Sequence, residues 1–156
     1  MLTVYRPEYG DLWFRQQLLA DEETMSYNHA WGGTIPFPES RWQEWHAHWI
    51  VNAGSERYYR YLKDEAGRFI GEIAYHYDTG TEAYLADVLL YAKYRGKGYG
   101  AQALELLCSA AKANGLQALC DDLAIDNPAL RLFLRHGFTE VSRSDTAIRL
   151  KRVLQA

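Results

Sequence analysis

The sequence predicts a mixed α/β domain: one twisted, mostly antiparallel sheet of about seven strands with helices on both faces. Three observations carry this. Two helical patterns come early, a set of tyrosine-rich alternating segments follows, and the chain then runs β-α-β-α-β-β, an order that builds a mixed sheet rather than a fully parallel one. A glycine-rich stretch, Arg95-Gly96-Lys97-Gly98-Tyr99-Gly100, joins an apolar strand to a helix. The 156 residues, 48% hydrophobic and 24% charged, suffice for one domain over residues 1–156 with a sizeable core.

Residues 2–6 alternate as a short strand does, and Pro7 ends it. Asp11 is placed to cap a helix over residues 12–20, whose apolar face is expected from Trp13, Phe14, Gln17 and Leu18. Residues 21–39 contain Trp31-Gly32-Gly33 and Pro36-Phe37-Pro38, which break regular structure. This is the longest irregular stretch, and long loops in compact domains are often binding loops.

From Ser40 onward Trp42, Trp45, His46, Trp49 and Ile50 recur at helical spacing. That aromatic face is expected to pack on the sheet; the functional alternative is a wall of a ligand pocket. Residues 57–62 and 69–77 alternate and are joined by a short polar turn, the pattern of an antiparallel hairpin, and residues 84–91 form the third strand of the set. The helix over residues 99–114 turns Leu104, Leu107, Cys108 and Ala111 inward and stops at Gly115. After a strand at 116–125, Asn127 and Pro128 read as N-cap and first helical residue, with Leu130, Phe133 and Leu134 buried and Gly137 ending the helix. Residues 138–142 and 147–153 complete the sheet.

Composition excludes several classes. A net charge of -3 argues against a nucleic-acid surface, so no nucleic-acid partner is expected. The first ten residues have no apolar core of a leader and no apolar run approaches about 18 residues, so neither export nor a membrane span is indicated and the cytoplasm is the expected compartment. Cys108 and Cys120 are too few for a disulfide framework and sit among apolar residues, as buried thiols do. His46 and His48 fall on different helix faces, and His29 and His136 read as surface or cap residues, so no metal is expected.

The glycine junction carries the chemistry. Glycines between a strand and a helix expose backbone N–H groups that can close on a phosphate while the helix points its positive end at the same place, and Arg95 and Lys97 add full charges. A Walker loop does not fit, because no Gly-Lys-[Ser/Thr] follows a glycine at the required spacing. The dinucleotide fingerprint G-x-G-x-x-A is met by Gly96, Gly98 and Ala101, with Asp121 or Asp122 about 20 residues on. Only the last third of the chain follows, however, too little for the rest of a doubly wound sheet.

The third pattern is R-x-x-G-x-G, and here the sequence resembles the GNAT superfamily of acyl-CoA-dependent N-acyltransferases. Residues 126–138, from Asp126-Asn127-Pro128 to His136-Gly137-Phe138, resemble that family's second signature, a helix ending in Gly-Phe. The resemblance implies acetyl-CoA as cosubstrate, its diphosphate on Gly96, Lys97, Gly98, Tyr99 and Gly100 with Arg95 assisting, and its pantetheine arm along Val88, Leu89 and Leu90. It also implies a central parallel strand pair splayed to admit acetyl-CoA, and a hydrogen bond from Asn127 to the arm. Pairs of subunits are common in the family, which leaves a homodimer open.

Transfer to an amine needs a base, a donor for the thioester oxygen and an acid for the departing thiolate. The backbone N–H of Leu89 or Leu90 is the natural oxyanion donor. Three carboxylates compete as base: Asp122, five residues before Asn127, where some family members place a glutamate; Asp87, on the strand before the glycine loop; and Glu72, on the strand before that. Family members commonly carry the acid as a tyrosine four residues before the glycine of Gly-Phe, but here that position is Phe133, which has no proton to give. Tyr84 or Tyr91 could substitute.

The expected function is therefore acetyl transfer from acetyl-CoA to a primary amine, on a small molecule or peptide, by direct attack. No cysteine stands in a nucleophile setting. A CoA-binding module without turnover is the alternative that Phe133 motivates, and a dinucleotide-binding oxidoreductase is the third.

Overall fold

A computed structural model describes residues 1–155. Seven strands form one sheet: β1 (Thr3–Tyr5), β2 (Arg57–Lys63), β3 (Phe69–Asp78), β4 (Ala83–Leu90), β5 (Ala118–Ala124), β6 (Thr139–Arg143) and β7 (Ala147–Val153), in the order β1-β2-β3-β4-β5-β7-β6. All neighbours are antiparallel except β4 and β5. One parallel pair does not make the doubly wound sheet that a dinucleotide fingerprint needs, which removes the oxidoreductase expectation.

Helices cover both faces. On one side α3 (Tyr99–Ala113) and α4 (Leu130–Arg135) pack with Leu62, Ile73, Leu119 and Leu150 around Leu104, Leu107 and Phe133. On the other, α1 (Leu12–Ala20) and α2 (Trp42–His46, continued by a π turn over Ala47–Val51) enclose Phe14, Leu18, Trp42, Tyr59 and Tyr61. The aromatic helix face thus does pack on the sheet.

Two predicted faces need correction. In α1 the buried residues are Leu12, Phe14, Leu18 and Leu19, while Trp13 is 50% exposed and Gln17 is exposed. Arg15, which interrupts the apolar spacing from Leu12 to Leu19, is drawn inward by an ion pair with Glu72. In α4 only Phe133 is buried and Leu134 lies exposed. That helix also begins at Leu130 rather than Pro128, because Asn127 first closes a turn in which its Oδ1 accepts the Ala129 N–H at 2.9 Å.

Residues 21–39 are less irregular than expected. Thr24–Trp31 winds as 3₁₀ turns and ends at Gly32 in the left-handed conformation. Its start is anchored where Thr24 Oγ accepts the Ala92 N–H at 2.9 Å.

Candidate active site

Strands β4 and β5 pair at a single register position, Leu85 opposite Cys120. Beyond it, toward their C-terminal ends, the two strands part. Parallel neighbours that separate leave unpaired backbone groups, and β4 shows which ones. Tyr91 N–H donates to the Ile70 carbonyl at 2.9 Å, and Leu89 lies opposite Glu72 in the register. Bonding sides alternate along an antiparallel strand, so Leu89 turns its polar groups to β3, while Val88 and Leu90 present theirs to the edge that β5 has left. Of the two residues proposed as oxyanion donor, Leu90 has the free direction and Leu89 does not.

The backbones of β3 and β4 also approach closely here. A Cβ on Gly71 would lie 2.4 Å from the Leu89 carbonyl oxygen, which explains glycine at that place.

The glycine loop follows at the open end. Gly96 and Gly98 have φ of 80° and 79°, a region that favours glycine, and Gly98 is the N-cap of α3. No side chain caps that 15-residue helix, so its first N–H groups face outward together with its positive dipole end. Gly100 serves packing as well, since a Cβ there would stand 3.1 Å from Leu132 of α4. Lys97 lies beside the loop with its ammonium 5.8 Å from the Tyr94 ring centroid. Arg95 is committed elsewhere: its guanidinium donates to the carbonyls of Thr24, at 2.8 Å, and Glu23, at 3.3 Å. It ties the 3₁₀ segment to the loop.

The three carboxylates proposed as base have different surroundings. Asp122 accepts two hydrogen bonds from Arg149, at 2.6 and 2.7 Å, across the β5–β7 register. Glu72, 1% exposed, is held by Arg15 Nη1 at 2.8 Å and by the Tyr59 hydroxyl. Asp87 has no such partner among the described residues. It projects from β4 two residues past the last pairing point, where water reaches it. Desolvation there, followed by the charge of Glu72, pushes its carboxyl up to about 7, with Arg15 pulling the other way. On the facing strand Asp121 is also raised well above the usual carboxylate range, by burial and then by the charge of Asp87.

Tyrosine positions separate in the same way. Phe133 is buried against Phe138 with ring centroids 5.0 Å apart, a core contact. Tyr84 donates to the Ser55 carbonyl at 3.3 Å, at the paired end of β4, and the Tyr91 hydroxyl accepts from Gln17. Tyr27, which the sequence did not single out, is on the 3₁₀ segment, and the carboxylates acting on its hydroxyl are Asp87, Glu72 and Asp121. Burial, then these charges, raise its phenol well above the ordinary value. Its only sequence signal was membership of the long loop.

A cleft of about 270 Å³ opens between α1, the segment at residues 35–37 and α2, lined by Arg15, Phe37, Arg41, Trp45 and Trp49 among others. It lies on the Asp87 face: Trp45 packs on Tyr59 at 4.7 Å, and Tyr59, Ala74 and Asp87 form one cross-strand row. Ala74 leaves that row low between the ring and the carboxylate. A larger cleft, about 350 Å³, lies around Trp13, Arg68, Phe69 and Lys93 on the β3 side of β4, away from the parted strands.

The acetyltransferase (GNAT) family model matches residues 15–138. No curated protein matches the chain in sequence. Among solved structures, the spermidine N-acetyltransferase of Vibrio cholerae, in complex with CoA and spermine, superposes with a TM-score of 0.79 at 19% identity, over 98% of this chain and 95% of that one. A phosphinothricin acetyltransferase from Sinorhizobium meliloti in complex with AcCoA gives 0.77 at 18% identity, over 98% and 88%. An N-acetyltransferase from Staphylococcus aureus Mu50 gives 0.79 at 17% identity, over 99% of both chains. At these identities the likeness is one of fold.

Proposed function

The chain belongs to the acetyltransferase (GNAT) family, and from that premise we propose that it moves an acetyl group from acetyl-CoA directly to a primary amine. The single pairing point between β4 and β5 is the observation that carries this, because it leaves a backbone edge free for an extended, amide-bearing arm. Val88 and Leu90 would hydrogen-bond the arm as a missing strand does. The N–H groups of residues 96–100, the start of α3 and Lys97 would take the diphosphate. With Oδ1 spent on its turn, Asn127 offers its side-chain N–H₂ to the arm.

Chemistry follows from what faces the same opening. Asp87, ionised for a useful fraction of the time near neutrality, takes a proton from the acceptor's ammonium. The freed amine attacks the thioester carbon, and the Leu90 N–H receives the charge that develops on oxygen, a contribution of about 3–4 kcal/mol for one well-aimed donor. Collapse of the tetrahedral adduct breaks the C–S bond. The aromatic cleft under Trp45 and Trp49 is the acceptor's approach, and its size suits a small molecule better than a folded partner.

The test is thermal stabilisation by acetyl-CoA, CoA and NAD, then thiol release with a panel of amines that includes spermidine and phosphinothricin. Stabilisation by CoA and its ester, with thiol release for at least one amine, is expected. Binding without thiol release for any amine would favour a non-catalytic CoA module, the reading that Phe133 motivates.

A further inference from the structure

We propose that Tyr27 is the proton donor to the departing coenzyme thiolate, the task for which Phe133 has no group. The inference rests on the acetyl-transfer reading and adds a residue to it. Tyr27 lies midway along a strap that spans the mouth of the parted strands. On the β4 side the strap is held by Thr24 Oγ, which accepts the N–H of Ala92 two residues past Leu90, and by Arg95 on the Glu23 and Thr24 carbonyls. On the β5 side His29 Nε2 meets Asp126 Oδ2 at 3.1 Å, next to Asn127. Thr24 and Met25 are buried, which fixes the turn before Tyr27, and Tyr27 packs against the core on the α1 side of the sheet.

Two anchors on opposite sides of the opening put Tyr27 on a segment that crosses it, with its ring packed on the cluster that includes Leu89 of β4. The gap is also where the Leu90 N–H points and where a thioester bound there would hold its sulfur. The charges acting on the phenol come from both parted strands, Asp87 on β4 and Asp121 on β5. Such a phenol stays protonated at neutral pH, the state an acid needs, and the alternative hydroxyls lie elsewhere: Tyr84 donates to Ser55 at the paired end of β4, and Tyr91 lines the larger cleft away from the parted strands.

The step balances. Nitrogen bonds to the acetyl carbon, the C–S pair passes to sulfur, and the phenol proton moves to sulfur to give the free thiol. Of the two protons that leave nitrogen, Asp87 takes the first and the second returns to the phenolate through water.

Tyr27→Phe keeps the ring and removes only the hydroxyl. With the best amine of the panel it should lower kcat by about 100-fold while the Kd for acetyl-CoA stays at the wild-type value. Tyr27→Ala should be equally slow, and added phenol should restore turnover where toluene does not. Wild-type kcat in Tyr27→Phe, or equal rescue by toluene, overturns the assignment and leaves the acetyl-transfer reading standing. Wild-type protein that releases no thiol overturns both together.

Discussion

Replacing Asp87 by asparagine keeps the side chain's shape and removes its proton affinity. With the carboxyl held near 7, about one molecule in ten is ionised at about pH 6 and about nine in ten at about pH 8. If Asp87 is the base, kcat/KM should rise about tenfold across that interval. Asp87→Asn should lose this limb and fall by about 10² to 10⁴-fold, or roughly 3–5 kcal/mol of barrier. The assay is thiol release at saturating acetyl-CoA over that pH range. An ammonium acceptor contributes its own titration, but that limb belongs to the substrate and persists in the variant, so the two separate. Stability supplies a second readout. The folded-state value lies above the ordinary 3.8, so the native protein holds this proton more tightly than the unfolded chain does. The resulting stabilisation is complete below about pH 4 and is lost as pH rises through about 7. Asparagine has no such dependence, so the Tm of Asp87→Asn should gain on wild type toward about pH 8 and lose that gain toward about pH 4. Because the carboxyl is reached by water, the effect should be small. A limb near 7 that survives in Asp87→Asn would refute the assignment.

Gly98→Asp meets no atom within 4 Å, so any loss reflects the left-handed backbone and the new charge. Acetyl-CoA should bind about tenfold or more weakly, while Gly98→Asn, which tolerates that backbone, should lose much less; equal affinities in isothermal titration would remove the loop from the site. Glu72→Gln leaves the Arg15 guanidinium without its counter-charge and should cost about 3–5 kcal/mol in urea unfolding. The same change removes the charge that raises Asp87, so the activity limb should move to lower pH; an unmoved limb would show that the two carboxylates do not communicate. Gly71→Ala forces the Leu89 carbonyl to shift, with an expected loss of about 1–3 kcal/mol and a lower kcat through the Leu90 amide. Denaturant titration alongside turnover tests both.

Local chemistry made much of the fold legible in the sequence. The glycine loop, the inward face of α3, the stops at Gly115 and Gly137 and the hairpin from β2 to β3 depend on backbone freedom and periodicity within a few residues, and all were read at nearly their observed places. The errors occurred where a face is chosen by what lies opposite. Trp13 and Leu134 are apolar at helical spacing, yet the sheet and α3 cover their neighbours instead.

The candidate base shows the division most clearly. Sequence alone determined that a glycine-rich junction carrying Arg95 and Lys97 follows a central strand and that Glu72, Asp87 and Asp122 stand on strands around it. It held no means of ranking them, because their partners are remote: Arg15 is 57 residues from Glu72, and Arg149 is 27 from Asp122. Tertiary structure paired those two carboxylates with arginines and, among the described residues, left Asp87 without a cation of its own, beside the opening made when β5 turns away. It also anchored the segment that carries Tyr27 to both sides of that opening, through Thr24 and His29. A side chain's charge state and reach depend on which groups surround it in space, and for a site assembled across a parted sheet those groups come from every part of the chain.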